Sequence, residues 1–218
     1  MIITIDGPSG VGKSTVSKLV ARKLGFTYLD TGAMYRAVAL QIRRDSVDID
    51  DDKRLESFLN NTEIGLGRKE NGDLVILVNN EDVTDKIRTP EVSRLSSDVA
   101  TKRAVRIKLV HLQRYVGKSG DMVAEGRDMG TYVFPDAEFK FYLDASLDER
   151  ARRRREQLAQ TGNVADIESV KNEIIKRDAQ DMERSESPLH PAVNAVIIDT
   201  TNLSSDEVTD RIIKEVQG

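Results

Sequence analysis

Apolar positions along the chain change period several times, and each change predicts an element. Ile2, Ile3, Thr4 and Ile5 form a continuous β-branched run, as expected of a strand covered on both faces of a parallel sheet. After a glycine-rich gap, Val16, Leu19, Val20 and Leu24 return at helical spacing, and Gly25 is placed to end that helix. "FTYLDTG" reads as a second strand ending near Asp30, and Ala33 to Arg44 carry a helical stripe through Met34, Ala37, Val38 and Ile42. Strand, helix, strand, helix in this order predicts an α/β domain with a parallel sheet.

The pattern then breaks. A short helix around Lys53 to Leu59 precedes residues 64 to 84, which read as small strands with turns at "KENGD" and "NNED"; Asn71-Gly72 is a hairpin signal. Helices resume at Thr89, an N-cap followed by Pro90 at the first helical position. A helix over 102 to 117 has Val105, Leu109, Leu112 and Val116 on its apolar face. "DMVAE" (121 to 125) and "EFKFYLD" (138 to 144) are strands, "SLDERARRRREQLAQTG" is a basic helix, 166 to 184 is another, and "AVIIDT" (195 to 200) is the last strand. Ser204 and Glu207 form a capping box for a closing helix whose Val208, Ile212, Ile213 and Val216 face inward. The expectation is about five core strands wrapped by helices, with excursions near 62 to 100 and 148 to 165. Ligands of such sheets bind outside the carboxyl ends of the strands.

The gap after the first strand carries chemistry. Gly7 to Ser14 in "IDGPSGVGKST" fit G-x-x-x-x-G-K-[ST], between a strand and a helix. Backbone N–H groups at a helix N-terminus favour an anion, and glycines let the main chain curl around a phosphate. Gly7, Pro8, Ser9, Gly10, Val11, Gly12, Lys13, Ser14 and Thr15 are the candidate nucleotide-binding loop. Lys13 can reach the β- and γ-phosphates, and Ser14 can offer its hydroxyl to magnesium.

Composition narrows the classes. With 33 basic and 37 acidic side chains the net charge is −4, which gives no global pull toward nucleic acid or an anionic membrane. There is no cysteine, so disulfides, thiolate metal sites and a cysteine nucleophile are excluded. No apolar run is long enough to span a bilayer and Met1 leads directly into a strand, so the expectation is a cytoplasmic protein without a leader. Without a coiled-coil heptad, monomer is the default.

The loop alone does not choose among kinase, switch and motor. The N-K-x-D element of a guanine-nucleotide switch is missing, and "DMVAEGRD" only partly matches a motor's strand with a terminal acid. Asp30, Glu125 and Asp128 are unranked candidates to support magnesium through water. Arginines at strand ends suit a phosphorylated acceptor, since two phosphate groups repel until fixed cations offset their charge. Arg127 in "EGRDMG" lies in a strand-end loop, where function concentrates. Arg36, by itself, also fits a solvated helix face.

The stretches "IDGPSGVGKST", "LDTGAMYR", "IRTPEV", "EGRDMGTYVFPDA", "FYLDAS" and "KRDAQDMERSESPL" occur in the order seen in bacterial cytidylate kinases, and over its full length the chain resembles that family. "GRDMGTYVFPDA" is the most diagnostic of them. The resemblance implies a three-layer α/β/α P-loop kinase domain over 1 to 218, with a five-stranded parallel sheet, a small β-rich nucleotide-monophosphate-binding insert near 62 to 100 and a helical lid near 148 to 165. It implies phosphoryl transfer from MgATP to CMP or dCMP, in pyrimidine nucleotide metabolism. It further implies Thr31, Arg36 and Arg127 at the acceptor phosphate; many relatives have serine where this chain has Thr31, and either hydroxyl can donate. Ser97, Arg106 and Asp128 match positions that read the base, and Arg177, Asp181 and Arg184 match ribose-side and closing residues. Read alone, that last trio is an ordinary surface ion-pair helix. Within Arg152 to Arg155, successive residues point about 100° apart and cannot share one phosphate; Arg153 and Arg154 match lid arginines that would swing over ATP. His111 and His190 have no required role, because a phosphate acceptor is already largely dianionic. Two other readings stay open: a kinase of another small metabolite, and a nucleotide-binding module without turnover.

Overall fold

The computed structural model describes residues 1–68, 74–160 and 162–218. The chain divides into two compact units, one of Met1–Thr27 with Gly120–Gly218 and one of Tyr28–Ser119. The protein is α/β, and its main sheet holds β1 (Ile2–Asp6), β2 (Thr27–Asp30), β6 (Met122–Gly126), β7 (Phe139–Asp144) and β8 (Val196–Asp199) in the order β2-β6-β1-β7-β8.

β1 is the central strand of the sheet. It pairs in parallel with β6, Ile3 opposite Val123, and with β7, Ile5 opposite Phe141. Ile3, Thr4 and Ile5 are all fully buried, as the continuous run predicts. The register sets Ile5 beside Glu125 and Asp6 beside Gly126, so the carboxyl ends of β1 and β6 finish level with each other. β8 pairs in parallel with β7 on its other side as the edge strand, and Ile197 there is 63% exposed.

Helix α1 (Lys13–Leu24) starts directly from the glycine loop and ends on Gly25, whose N–H reaches back to the last turn. It packs against α8 (Ser205–Gln217), which opens with the expected Ser204–Glu207 capping box. α6 (Leu147–Gln160) packs on α7 (Ile167–Glu183) around buried Ala151, Val170 and Ile174. Between β6 and β7 the chain forms a π-helical turn over Met129–Val133 that apolar periodicity does not announce.

In the second unit α2 spans Thr31–Arg44, two residues earlier than the apolar stripe indicates, because the Asp30 carboxylate caps it by accepting the Ala33 N–H at 2.8 Å. α3 (Asp52–Asn61) follows, then a three-stranded antiparallel sheet of β3 (Ile64–Arg68), β4 (Leu74–Val78) and β5 (Glu81–Asp82). The "NNED" turn is a two-residue link in which Asn79 and Asn80 both take positive φ, 49° and 66°, with Val78 opposite Glu81. The expected Asn71-Gly72 turn lies outside the described residues. α4 (Pro90–Val99) begins at its Thr89 cap, and α5 spans Arg103–Gly117. The face α5 buries is rotated from the expected one: Val105, Leu109 and Val110 are buried with Arg106 and Gln113, whereas Leu112 and Val116 are half-buried. Among the described residues no helix is long and apolar enough to cross a membrane.

Candidate active site

The loop from Gly7 to Thr15 joins the end of β1 to the start of α1. At Gly7 the backbone turns with φ +149°, and a Cβ there would lie 2.2 Å from the carbonyl oxygen of Leu143. Only a hydrogen fits, so β7 and the loop approach as closely as main chains can. Gly12 caps α1 in a left-handed conformation with no side-chain acceptor for the first-turn N–H groups and no acid in that turn. Such a helix end attracts an anion. Lys13, the first helical residue, is 7% exposed, and its Nζ donates to the Pro8 carbonyl at 2.7 Å. Burial, helped by the nearby charge of Arg127, pushes its amine down to about 7. A phosphate at this position would supply the counter-charge that the buried amine needs.

At the end of β6, Arg127 and Asp128 precede the π-helical turn. Asp6, the last residue of β1, holds that turn: its carboxylate accepts the Met129 N–H at 2.9 Å and the Gly130 N–H at 2.8 Å. Burial raises Asp6 to about 6 despite these two donors. The sequence reading did not single out Asp6, although an acid closing an otherwise apolar strand was visible. Arg127 Nε donates to Asp181 on α7 at 2.7 Å. Arg184, at the end of α7, stands 3.4 Å from Asp128 and 3.8 Å from Asp181, with its side chain 4% exposed. Burial alone would raise the Asp181 carboxyl, but Arg127, Arg177 and Arg184 together hold it below its usual value. The last turns of α7 are therefore not an ordinary surface ion-pair face: Asp178 and Asp181 are buried, with Asp181 paired to Arg127, while Glu168, Glu173 and Lys176 stay exposed.

Helix α6 separates its arginines as the 100° step requires. Arg152 lies outside, bonded to Glu149 and Glu156. Arg153 turns inward and donates to the Val11 carbonyl of the loop at 3.1 Å and to the Thr200 carbonyl at 2.7 Å. Arg154 donates to Gln157 one turn on. Arg150 and Asp178, which the sequence reading also passed over, reach the loop at Ser9. Both follow from helical spacing, since Arg150 shares a face with Arg153 and Asp178 with Asp181.

In the second unit, Thr31 is 2% exposed at the first position of α2, and Arg36 one turn later donates to Asp30 at 2.9 Å. Both Asp30 oxygens are thus engaged, one as the helix cap and one by Arg36. Arg106 is 3% exposed on α5, close to the Ala100 carbonyl at the end of α4, the helix that also carries half-buried Ser97. His111 and His190 are exposed.

No three acidic or histidine side chains cluster as a metal cage among the described residues. Magnesium bound with nucleotide phosphates does not need one, since it keeps several waters and takes one or two protein oxygens. The exposed Ser14 hydroxyl in the first turn of α1 could supply such an oxygen, and the uncapped helix end has N–H groups that could receive phosphates beside it.

A solved structure of an uncharacterized protein from Eubacterium ventriosum superposes with a TM-score of 0.57 at 15% identity, covering 100% of this chain and 98% of that one, a likeness of fold. The cytidylate kinase of Pelotomaculum thermopropionicum is 48% identical over 216 residues, 99% of this chain and 96% of its own length. That of a Geobacillus species is 48% identical over 214 residues, 98% of this chain and 95% of its own. The family model described as cytidylate kinase matches residues 3–218, and the chain belongs to the cytidylate kinase family.

Proposed function

We propose that the protein transfers the γ-phosphoryl group of MgATP to a 5'-phosphate oxygen of CMP or dCMP, releasing ADP and CDP or dCDP. The observation that carries this reading is the buried group of Arg127, Asp128, Asp181 and Arg184 at the end of β6, all within the family match. Charges withdrawn from solvent contribute little to stability for their desolvation cost, so an ionic ligand is the better account of this group.

Gly7 to Thr15 would hold the triphosphate through main-chain N–H groups, and Lys13 would bind the β- and γ-phosphates. Ser14 would hold magnesium, which would supply charge neutralisation at the phosphates. Arg127, with Thr31 and Arg36, would fix the acceptor phosphate, and Arg153 and Arg154 would serve the donor side from the lid. Asp128 would accept the 4-amino group of cytosine while Ser97 and Arg106 donate to its ring acceptors. Uracil would place a carbonyl against the Asp128 carboxylate, and that mismatch is how a polar site rejects a close analogue. Arg177, Asp181 and Arg184 would close over the sugar. The acceptor needs no general base, since a phosphate monoester is largely dianionic at neutral pH; catalysis is positioning and charge neutralisation.

ADP formation from MgATP with CMP, dCMP, UMP, AMP and GMP, beside a control without acceptor, tests the reading. Turnover concentrated on CMP and dCMP is expected. ADP formed only with another acceptor, or equally without any, would overturn it.

A further inference from the structure

The nucleotide loop is gripped at one residue by a buried ion pair from two different helices. The Ser9 N–H donates to Asp178 Oδ1 of α7 at 2.9 Å, and the Ser9 carbonyl accepts from Arg150 of α6 at 3.1 Å. The same Arg150 nitrogen binds Asp178 Oδ2, closing the pair on itself, while Arg150 Nε donates to the Ala145 carbonyl at 3.1 Å. Both side chains are withdrawn from solvent, 12% exposed for Arg150 and 9% for Asp178. At the next residue, Gly10, φ is +78° and a Cβ would stand 2.9 Å from the Arg150 carbonyl oxygen, so α6 rests directly on the loop. Arg153 takes the Val11 carbonyl, which leaves Gly10 bracketed on both sides from one helix.

A buried ion pair is a weak source of stability and a strong source of geometry. Both main-chain groups of Ser9 are committed to it, so neither is free to rotate toward a ligand, and the N–H groups that follow keep one orientation. We propose that Asp178, held by Arg150, is a positioning residue for the donor nucleotide: it sets the main chain at Ser9 and so pre-aligns the loop for the triphosphate. This deepens the reading of Gly7 to Thr15 as the ATP loop and rests on it. Asp178 touches no phosphate itself and acts through the loop. It also lies one turn from Asp181, the partner of Arg127, so the helix that orients the donor loop is the one that anchors the acceptor-side arginine.

The test is MgATP affinity by titration calorimetry without acceptor, with KM for ATP and for CMP measured in parallel, on wild type, Asp178→Ala, Asp178→Asn and Arg150→Lys. Asp178→Ala is expected to weaken MgATP binding at least tenfold and raise KM for ATP in step, with KM for CMP changed less than threefold. Asp178→Asn keeps an oxygen for the Ser9 N–H but sets its NH2 against the Arg150 guanidinium, and is expected to fall between wild type and Asp178→Ala. Arg150→Lys keeps the charge but cannot serve Ser9 and Ala145 together, and is expected to weaken MgATP binding threefold or more. A folded Asp178→Ala that binds MgATP within twofold of wild type would overturn the proposal, as would equal rises in both KM values, which a merely structural role would give. Should Asp178→Ala not fold, undiminished MgATP binding by Arg150→Lys overturns it instead. A wild type that binds MgATP but leaves CMP unphosphorylated contradicts the acceptor reading alone, and the binding arm still decides this one.

Discussion

Replacing Asp6 with asparagine tests the carboxylate that ties the end of β1 to the turn bearing Arg127 and Asp128. Asp6 is 4% exposed, and burial raises its carboxyl from 3.8 to about 6 against the opposing pull of two backbone donors. Because the folded value lies above the unfolded one, the folded chain binds the proton more tightly. The stability this confers is complete below pH 3.8 and is lost as pH rises through 6. Over the whole range the shift corresponds to about 3 kcal/mol. Between about pH 5 and about pH 8 the linkage relation leaves about 1 kcal/mol of it. Asparagine has the same shape and does not titrate, and at the acid end, where Asp6 is protonated, both side chains present one carbonyl oxygen and one donor group, so the two proteins start within about 1 kcal/mol of each other. Toward the alkaline end the variant is then expected to gain about 1 kcal/mol relative to wild type. Urea unfolding of both proteins at several pH values measures it. A difference that does not change with pH, or that moves in favour of wild type as pH rises, would refute the reasoning and mean that the Met129 and Gly130 donors outweigh burial.

Two further outcomes are expected. Lys13→Ala removes a buried amine already pushed down to about 7, so unfolding should be unchanged or slightly favourable to the variant. Its kcat should fall about a thousandfold, as when a charge-stabilising group is deleted from a site; turnover near wild type in the folded variant would remove Lys13 from the phosphate site. Gly7→Ala sets a Cβ 2.2 Å from the Leu143 carbonyl oxygen on a backbone that favours glycine, and should cost about 2–4 kcal/mol in unfolding and abolish measurable MgATP binding. A wild-type melting temperature and affinity would show that β7 yields there.

The elements that pack through their own periodicity were legible before the fold was known. β1 announced itself as a strand buried on both faces through its run from Ile2 to Ile5, and α8 announced its start through Ser204 and Glu207. Elements fixed by polar contacts were less visible. α2 begins before its apolar stripe because Asp30 caps it, and the π-helical turn exists because Asp6, distant in sequence, accepts two of its N–H groups. α5 buries Arg106 and Gln113 where Leu112 and Val116 were expected, a rotation of the face that no count of apolar residues contains.

The site divides along the same line. The phosphate loop was readable from eight consecutive residues, because a glycine-lysine-hydroxyl pattern between strand and helix encodes its geometry locally. The motif order also pointed to the family that the comparison with known proteins then showed. Tertiary structure alone decided that Arg153 reaches inward to Val11 while Arg152 stays in solvent, that Asp181 meets Arg127, and that Arg150 and Asp178 close on Ser9. The reason is one of range: hydrogen-bond patterns within a turn of chain are written in neighbouring residues, whereas pairing of buried charges depends on which helices the sheet brings together.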